Sequence, residues 1–215
     1  MARILNKAVS PEQKKQRYVE IMDTTDELFQ NHTYHEITLT IIAEKLGWSR
    51  GNLYKYVSTK EDIFLSLYLV KQRNFIDCLE NRLNSGKTIT EEMFADSMSI
   101  SFEQNMDYLK YHGIMATIIE TNVSIEKLAM FKKQSYSDRQ TIFRYLAQIT
   151  NSNQDDQIIQ LFLTILSHGC GLYALTEYSD AYIRSMELAG LQIQKVNFRE
   201  EYTKFILMCL KNYPT

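Results

Sequence analysis

Residues 37–62 read ITLTIIAEKLGWSRGNLYKYVSTKED, and this stretch decides the fold. Thr38 is placed to cap a short helix that runs to about Leu46, with Ile42 and Ala43 on its inner face. Ala43 is small enough for two helices to cross closely. Gly47 follows four residues later, in a tight turn where glycine takes positive φ without steric cost. Ser49 caps the next helix and leaves its first backbone amides free for a groove or a phosphate. Leu53 and Val57 repeat at i, i+4 and face inward, so Arg50 and Tyr54 share a different face. Gly51 lets the backbone come close to a partner, and Arg50 has the fork that pairs with a guanine edge.

Upstream, Ser10-Pro11-Glu12-Gln13 is a helix start: a capping serine, proline at the first helical position, and glutamine completing a capping box. The stripe Tyr18, Ile21, Met22, Thr25, Leu28, Phe29 carries that helix to about Asn31. Downstream, Thr59-Lys60-Glu61-Asp62 opens a long helix to about Asn84. After a polar loop at 84–88, the spacing predicts helices near 90–105, 107–121, 124–150, 155–177, 180–190 and 197–212. Two prolines and seven glycines in 215 residues are few, which favours long helices over strands and turns. The predicted fold is all-α, with a three-helix helix-turn-helix domain at 1–58 and a larger helical domain at 59–215.

The formal net charge is −2, yet residues 1–60 hold nine Lys/Arg against seven Asp/Glu, and the rest fifteen against nineteen. This basic bias at the N-terminal end permits a nucleic-acid partner. Cys78, Cys170 and Cys209 are widely spaced, with no C-x-x-C pair, so no disulfide framework or thiolate zinc site is expected. Met1 to Val9 lacks the apolar core of a signal peptide, and a reducing cytoplasm is the expected compartment. Gln157 to Thr176 carries no charge, but Gln157, Gln160, Thr164, Ser167 and His168 interrupt it, and a subunit interface rather than a membrane is expected.

The stretch resembles the helix-turn-helix of the TetR family of bacterial regulators. The likeness covers the apolar residues of the first helix, Thr38, Ile42-Ala43, Gly47, Ser49-Arg50-Gly51-Asn52-Leu53-Tyr54 and Ser58-Thr59-Lys60-Glu61. It implies phosphate contacts from Thr38, Tyr54 and Lys60, and groove or base contacts from Arg50, Asn52 and Tyr56. Val57 stands where most members have phenylalanine, a smaller core plug. Trp48 replaces a small apolar residue, leaving two readings: packing within the motif or widening the DNA contact.

The same resemblance implies a homodimer built on the last two long helices, an operator in double-stranded DNA, and a small-molecule effector. Interface candidates are Ile158, Phe162, Ile165, Phe198, Tyr202, Phe205 and Cys209, with Ile206, Leu210 and Tyr213 widening the stripe, and Gly169 and Gly171 allowing close approach. Candidate effector-lining residues are Phe102, Met106, Tyr108, Met115, Ile119, Phe131, Tyr136, Phe162, His168 and Tyr173. For each of these, plain core filling is the competing reading, as a surface position is for Glu120.

No cofactor or metal is expected. His32 and His35 lack further ligands nearby, and His168 and Cys170, two apart on a helix, point away from each other. No G-x-S-x-G, H-E-x-x-H, P-loop or dinucleotide fingerprint is present, so an enzyme is the weaker reading. A helical interaction module that uses the motif only for packing is the other alternative.

Overall fold

A computed structural model of the protein describes residues 10–84 and 88–212, leaving out the side chains of 116 and 117. The described residues are helical and contain no strand. Most of the polar loop read at 84–88 lies outside them, as does Tyr213. The chain forms two compact units, Met1–Leu67 and Tyr68–Thr215.

The first unit holds α1 (Pro11–Asn31), α2 (Leu39–Lys45), α3 (Arg50–Leu53) and the first two turns of α4 (Lys60–Leu83). The start of α1 is the capping box its sequence predicts: Gln13 N donates to Ser10 Oγ at 3.2 Å, and Ser10 N to Gln13 Oε1 at 3.0 Å. The α4 box is also reciprocal, with Asp62 as the returning acid: Asp62 N donates to Thr59 Oγ1 and Thr59 N to the Asp62 carboxylate. Ile21, Leu28, Phe29, Ile42, Ala43, Leu53, Val57 and Phe64 make the core. Phe64 meets Phe29 and Tyr34 edge to face, each at 5.1 Å between ring centroids.

The second unit continues α4 and adds α5 (Glu91–Gln104), α6 (Met106–Ile114), α7 (Ile125–Asp138), α8 (Gln140–Thr150), α9 (Asp155–Ala174), α10 (Asp180–Leu188) and α11 (Phe198–Lys211). Here α11 packs on α5 and α9, while α6 and α8 also pack on α9. Two stretches depart from the sequence reading. The segment expected as one helix over 124–150 breaks at Arg139, where φ −75° and ψ −9° separate α7 from α8. The segment expected to run to 121 leaves α geometry after Ile114. Met115–Ile119 is π-helical, with Glu120 N donating to Met115 O, and Glu120–Asn122 is a 3₁₀ turn.

Asp155–Ala174 is the one helix among the described residues long and apolar enough to cross a membrane. Ile158, Leu161, Phe162, Ile165, Leu166, Gly169 and Leu172 on it are buried within its own unit, while Leu163 on the opposite side is exposed. The apolar character of this helix is therefore divided between a core and an outer face.

Candidate nucleic-acid interface

The turn between α2 and α3 closes as a Schellman motif. Gly47 takes φ +67°, Gly47 N donates to Glu44 O at 3.0 Å, and Trp48 N to Ala43 O at 2.8 Å. A side chain at position 47 would meet nothing within 4 Å, so the requirement for glycine is one of backbone angle, not of space. Ser49 then caps α3, accepting from Asn52 N at 3.3 Å. Beyond Leu53 the chain keeps turning: Tyr56 N donates to Leu53 O at 2.9 Å, and Val57 N to the same carbonyl at 3.3 Å. Leu53 and Val57 are both buried.

This anchoring presents the opposite face outward. Ser49, Arg50, Gly51, Tyr54 and Lys55 are exposed, and Asn52 and Tyr56 half-buried. Tyr54 N donates to Arg50 O at 3.0 Å, so the two side chains rise one turn apart on the same side. Thr38 is exposed, and its hydroxyl accepts from Ile41 N at 3.3 Å, leaving its own proton to offer. Lys55, exposed and next to Tyr54 in the chain, is a further cation here that the motif does not single out.

Trp48 is half-buried. Its ring lies 5.7 Å from that of Tyr56 and under the Arg17 guanidinium, 5.3 Å from centroid to Cζ. Packing accounts for one side of the indole, and α1 supplies the cation through a contact that no local sequence pattern announces.

Lys60 is partly buried, and its ammonium is turned toward the α1–α2 connection. Its Nζ donates to Tyr34 O at 2.7 Å and Ile37 O at 2.8 Å, and lies 3.8 Å from the centroid of the Tyr34 ring. Burial pushes its pKa down, against the opposing pull of Glu61. Tyr34 in turn donates its hydroxyl to Glu61, and burial first, then that carboxylate, push the phenol up. Two of the three ammonium protons are thus committed to carbonyls in the α1–α2 connection, and Lys60 serves as an internal tie.

In the second unit, the interface candidates divide. Ile158, Phe162, Ile165, Phe198 and Tyr202 are buried in the chain's own core, which corrects their reading as contacts for a partner. Phe205 and Cys209 remain partly accessible. Beside them Leu163 and Met208 are exposed, and a mainly apolar groove runs along Gln160, Leu161, Thr164, Met208 and Cys209. Gly169 is needed inside the chain's own core: a Cβ there would fall 2.7 Å from Tyr202 Oη, which donates to Ile165 O at 2.8 Å. At Gly171 a Cβ would meet nothing.

Among the effector-lining candidates, Phe102, Tyr108, Met115, Ile119, Phe131 and Phe162 are buried. Phe102 and Tyr108 stack with Phe75 in an aromatic core, at 4.0 and 5.3 Å between centroids. Met106 and Tyr173 are half-buried. Tyr136 is 48% exposed and stands outside the core, and His168 stacks on Phe205 at 3.6 Å on the α11 side. Glu120 pairs with Lys132.

Comparison with known proteins agrees with this geometry. Residues 21–67 match the description "Bacterial regulatory proteins, tetR family", and residues 69–211 match "Tetracyclin repressor-like, C-terminal domain". Over 81 residues, 38% of the chain, it is 32% identical to the fatty acid metabolism regulator protein of Bacillus subtilis (strain 168), a match spanning 42% of that relative's length. The fold resembles that of a TetR/AcrR-family transcriptional regulator from Thermobifida fusca YX-ER1, with a TM-score of 0.60 at 15% identity over 93% of this chain and 100% of that one. A transcriptional regulator from Pseudomonas aeruginosa PAO1 is also similar, with a TM-score of 0.54 at 15% identity over 92% of this chain and 89% of that one.

Proposed function

The chain belongs to the tetR family of bacterial transcription regulators, and on that premise we propose that it is a homodimeric repressor whose hold on operator DNA changes when a small molecule binds its second unit. The observation carrying this reading is the exposed set of Ser49, Arg50, Tyr54 and Lys55 on and beside α3, with Asn52 half-buried among them, behind the positive-φ turn at Gly47. Arg50 reads a base edge in the major groove, while Thr38, Tyr54 and Lys55 hold phosphates.

A palindromic operator presents half-sites about 34–36 Å apart, so two such units must be joined. The outer face of α9 and α11, with Leu163, Phe205, Met208 and Cys209, is the surface for that junction. Helix α4 is continuous from Lys60 to Leu83 and contributes to both units. It is the element through which an effector changes half-site separation. A coupling of about 1–3 kcal/mol between sites shifts occupancy severalfold or more.

The partial relative is a regulator of fatty acid metabolism, which makes promoters of that metabolism, together with the protein's own, the first places to seek an operator. Fluorescence anisotropy with these promoter fragments tests the proposal. Sequence-preferring, salt-sensitive binding by a dimer is expected, whereas a dimer indifferent to DNA sequence points to a helical scaffold instead.

A further inference from the structure

Two arginines of the second unit bury an Nε that has no hydrogen-bond partner: Arg82, whose Nη2 donates to Gln104 Oε1 at 3.0 Å, and Arg139. Arg139, at the break between α7 and α8, donates from Nη2 to Tyr68 Oη at 2.8 Å and lies 5.6 Å from the Phe162 ring centroid. Its Nε is fully buried with no hydrogen-bond partner, and no carboxylate pairs with the guanidinium among the described residues. An arginine does not escape burial by losing its proton, and a desolvated cation without a counter-charge is costly to the folded chain. A buried orphan donor on an unpaired cation is open to a bound anion.

The surroundings are polar but neutral. Tyr68 Oη lies 2.9 Å from His112 Nδ1 and 3.3 Å from Tyr108 Oη. Burial, then repulsion by Arg139 and Lys132, holds the His112 imidazole down to about 4, so it is uncharged at neutral pH. Lys132 is already paired with Glu120. The site thus offers one uncompensated positive charge and several neutral hydrogen-bonding groups.

Around this polar point lie apolar walls. Phe131 packs on Tyr68 at 5.3 Å between centroids, and Phe162 lies against the guanidinium. The π-helical turn at Met115–Ile119 begins three residues after His112, and such turns recur at functional sites.

We propose that Arg139, assisted by Tyr68 and Tyr108, anchors the carboxylate of an effector whose apolar body lies against Phe131 and Phe162. The assignment rests on the effector-responsive reading above and gives it a ligand class. Nε is open, and Nη2, which carries a second proton besides the one it gives to Tyr68 Oη, completes with it the fork that holds two carboxylate oxygens side by side. A single cation among neutral donors matches a singly charged head group better than a phosphate ester with nearly two charges. Tyr68 is on α4, the first residue after the end of the first unit, so an acid drawn to Arg139 acts directly on the helix both units share.

The test is thermal unfolding of the full chain with octanoate, octan-1-ol and octyl phosphate, on the native protein and on Arg139→Gln and Tyr68→Phe. Octanoate is expected to raise the Tm of the native protein at concentrations about tenfold below those the alcohol or phosphate ester needs, as a charge-assisted bidentate pair demands. The shift should vanish in Arg139→Gln and shrink in Tyr68→Phe. If Arg139→Gln does not fold, the acid-against-alcohol comparison and Tyr68→Phe still decide. No preference for the acid, an equal shift in Arg139→Gln, or a stronger effect of octyl phosphate overturns the assignment. If octanoate binds through Arg139 yet leaves promoter DNA bound, the site stands and the effector reading of the function fails.

Discussion

The Lys60 ammonium rests 3.8 Å from the centroid of the Tyr34 ring and donates to that residue's own carbonyl at 2.7 Å. A cation at the head of α4 thereby ties the α1–α2 connection to the helix that leaves the first unit. Its second bond, to Ile37 O, closes the residue just before the Thr38 cap. The position of Thr38 on the candidate DNA face thus depends on a residue that faces inward.

Lys60→Met removes two charge-assisted hydrogen bonds and leaves two carbonyls to find water. A loss of about 2–3 kcal/mol in stability is expected. Arg50→Ala, at an exposed position, should change stability by less than about 0.5 kcal/mol. Urea unfolding of both variants checks the contrast. Equal midpoints, with Lys60→Met impaired only in DNA affinity, would restore the phosphate role.

Gly169→Ala sets a methyl group where Tyr202 Oη already lies 2.7 Å away. Either the Tyr202–Ile165 bond breaks or α9 and α11 move apart, at an expected cost of about 1–3 kcal/mol. Gly171→Ala, with open space and helical backbone, should be neutral or slightly stabilising. Thermal melts of the pair separate the two positions.

Met208→Glu, or Leu163→Glu, places a charge on the outer face of α9 and α11 without disturbing the core. Sedimentation equilibrium should show the dimer weakened by about tenfold or more, with monomer unfolding little changed. An unaltered dimer would place the interface elsewhere.

His112 is neutral in the folded protein because burial depresses its pKa to about 4 from 6.5. The unfolded chain takes up that proton first, so the stability linked to neutrality is complete above about pH 6.5 and is lost as pH falls toward 4. The expected loss is on the order of 2–3 kcal/mol across that window. In His112→Gln the dependence on pH between these limits should flatten.

Much of this was legible in the sequence because local rules dictate it. Ser10, Thr38 and Ser49 cap helices through bonds spanning three residues, and Gly47 adopts the backbone angle its turn requires. The inward Leu53 and Val57, and the outward Arg50 and Tyr54, follow from helical spacing alone. What escaped depends on distant partners. Lys60 finds carbonyls 26 and 23 residues away, and Arg139, at the break between α7 and α8, bonds Tyr68, 71 residues earlier. The stripe of Ile158, Phe162, Ile165, Phe198 and Tyr202 was correctly apolar, but periodicity cannot tell a subunit's own core from a partner's surface.

The proposed function stands or falls with DNA reading by the face of Arg50 and Tyr54. Fluorescence anisotropy of the full chain and of Arg50→Ala, against a promoter fragment and a scrambled fragment of equal length, tests it most directly. The native protein is expected to prefer its promoter by about a thousandfold or more at moderate salt. Arg50→Ala should narrow that gap by about 1–3 kcal/mol and leave binding to the scrambled fragment nearly unchanged. Native protein that binds both fragments alike, or a variant that loses affinity for both equally, would contradict it.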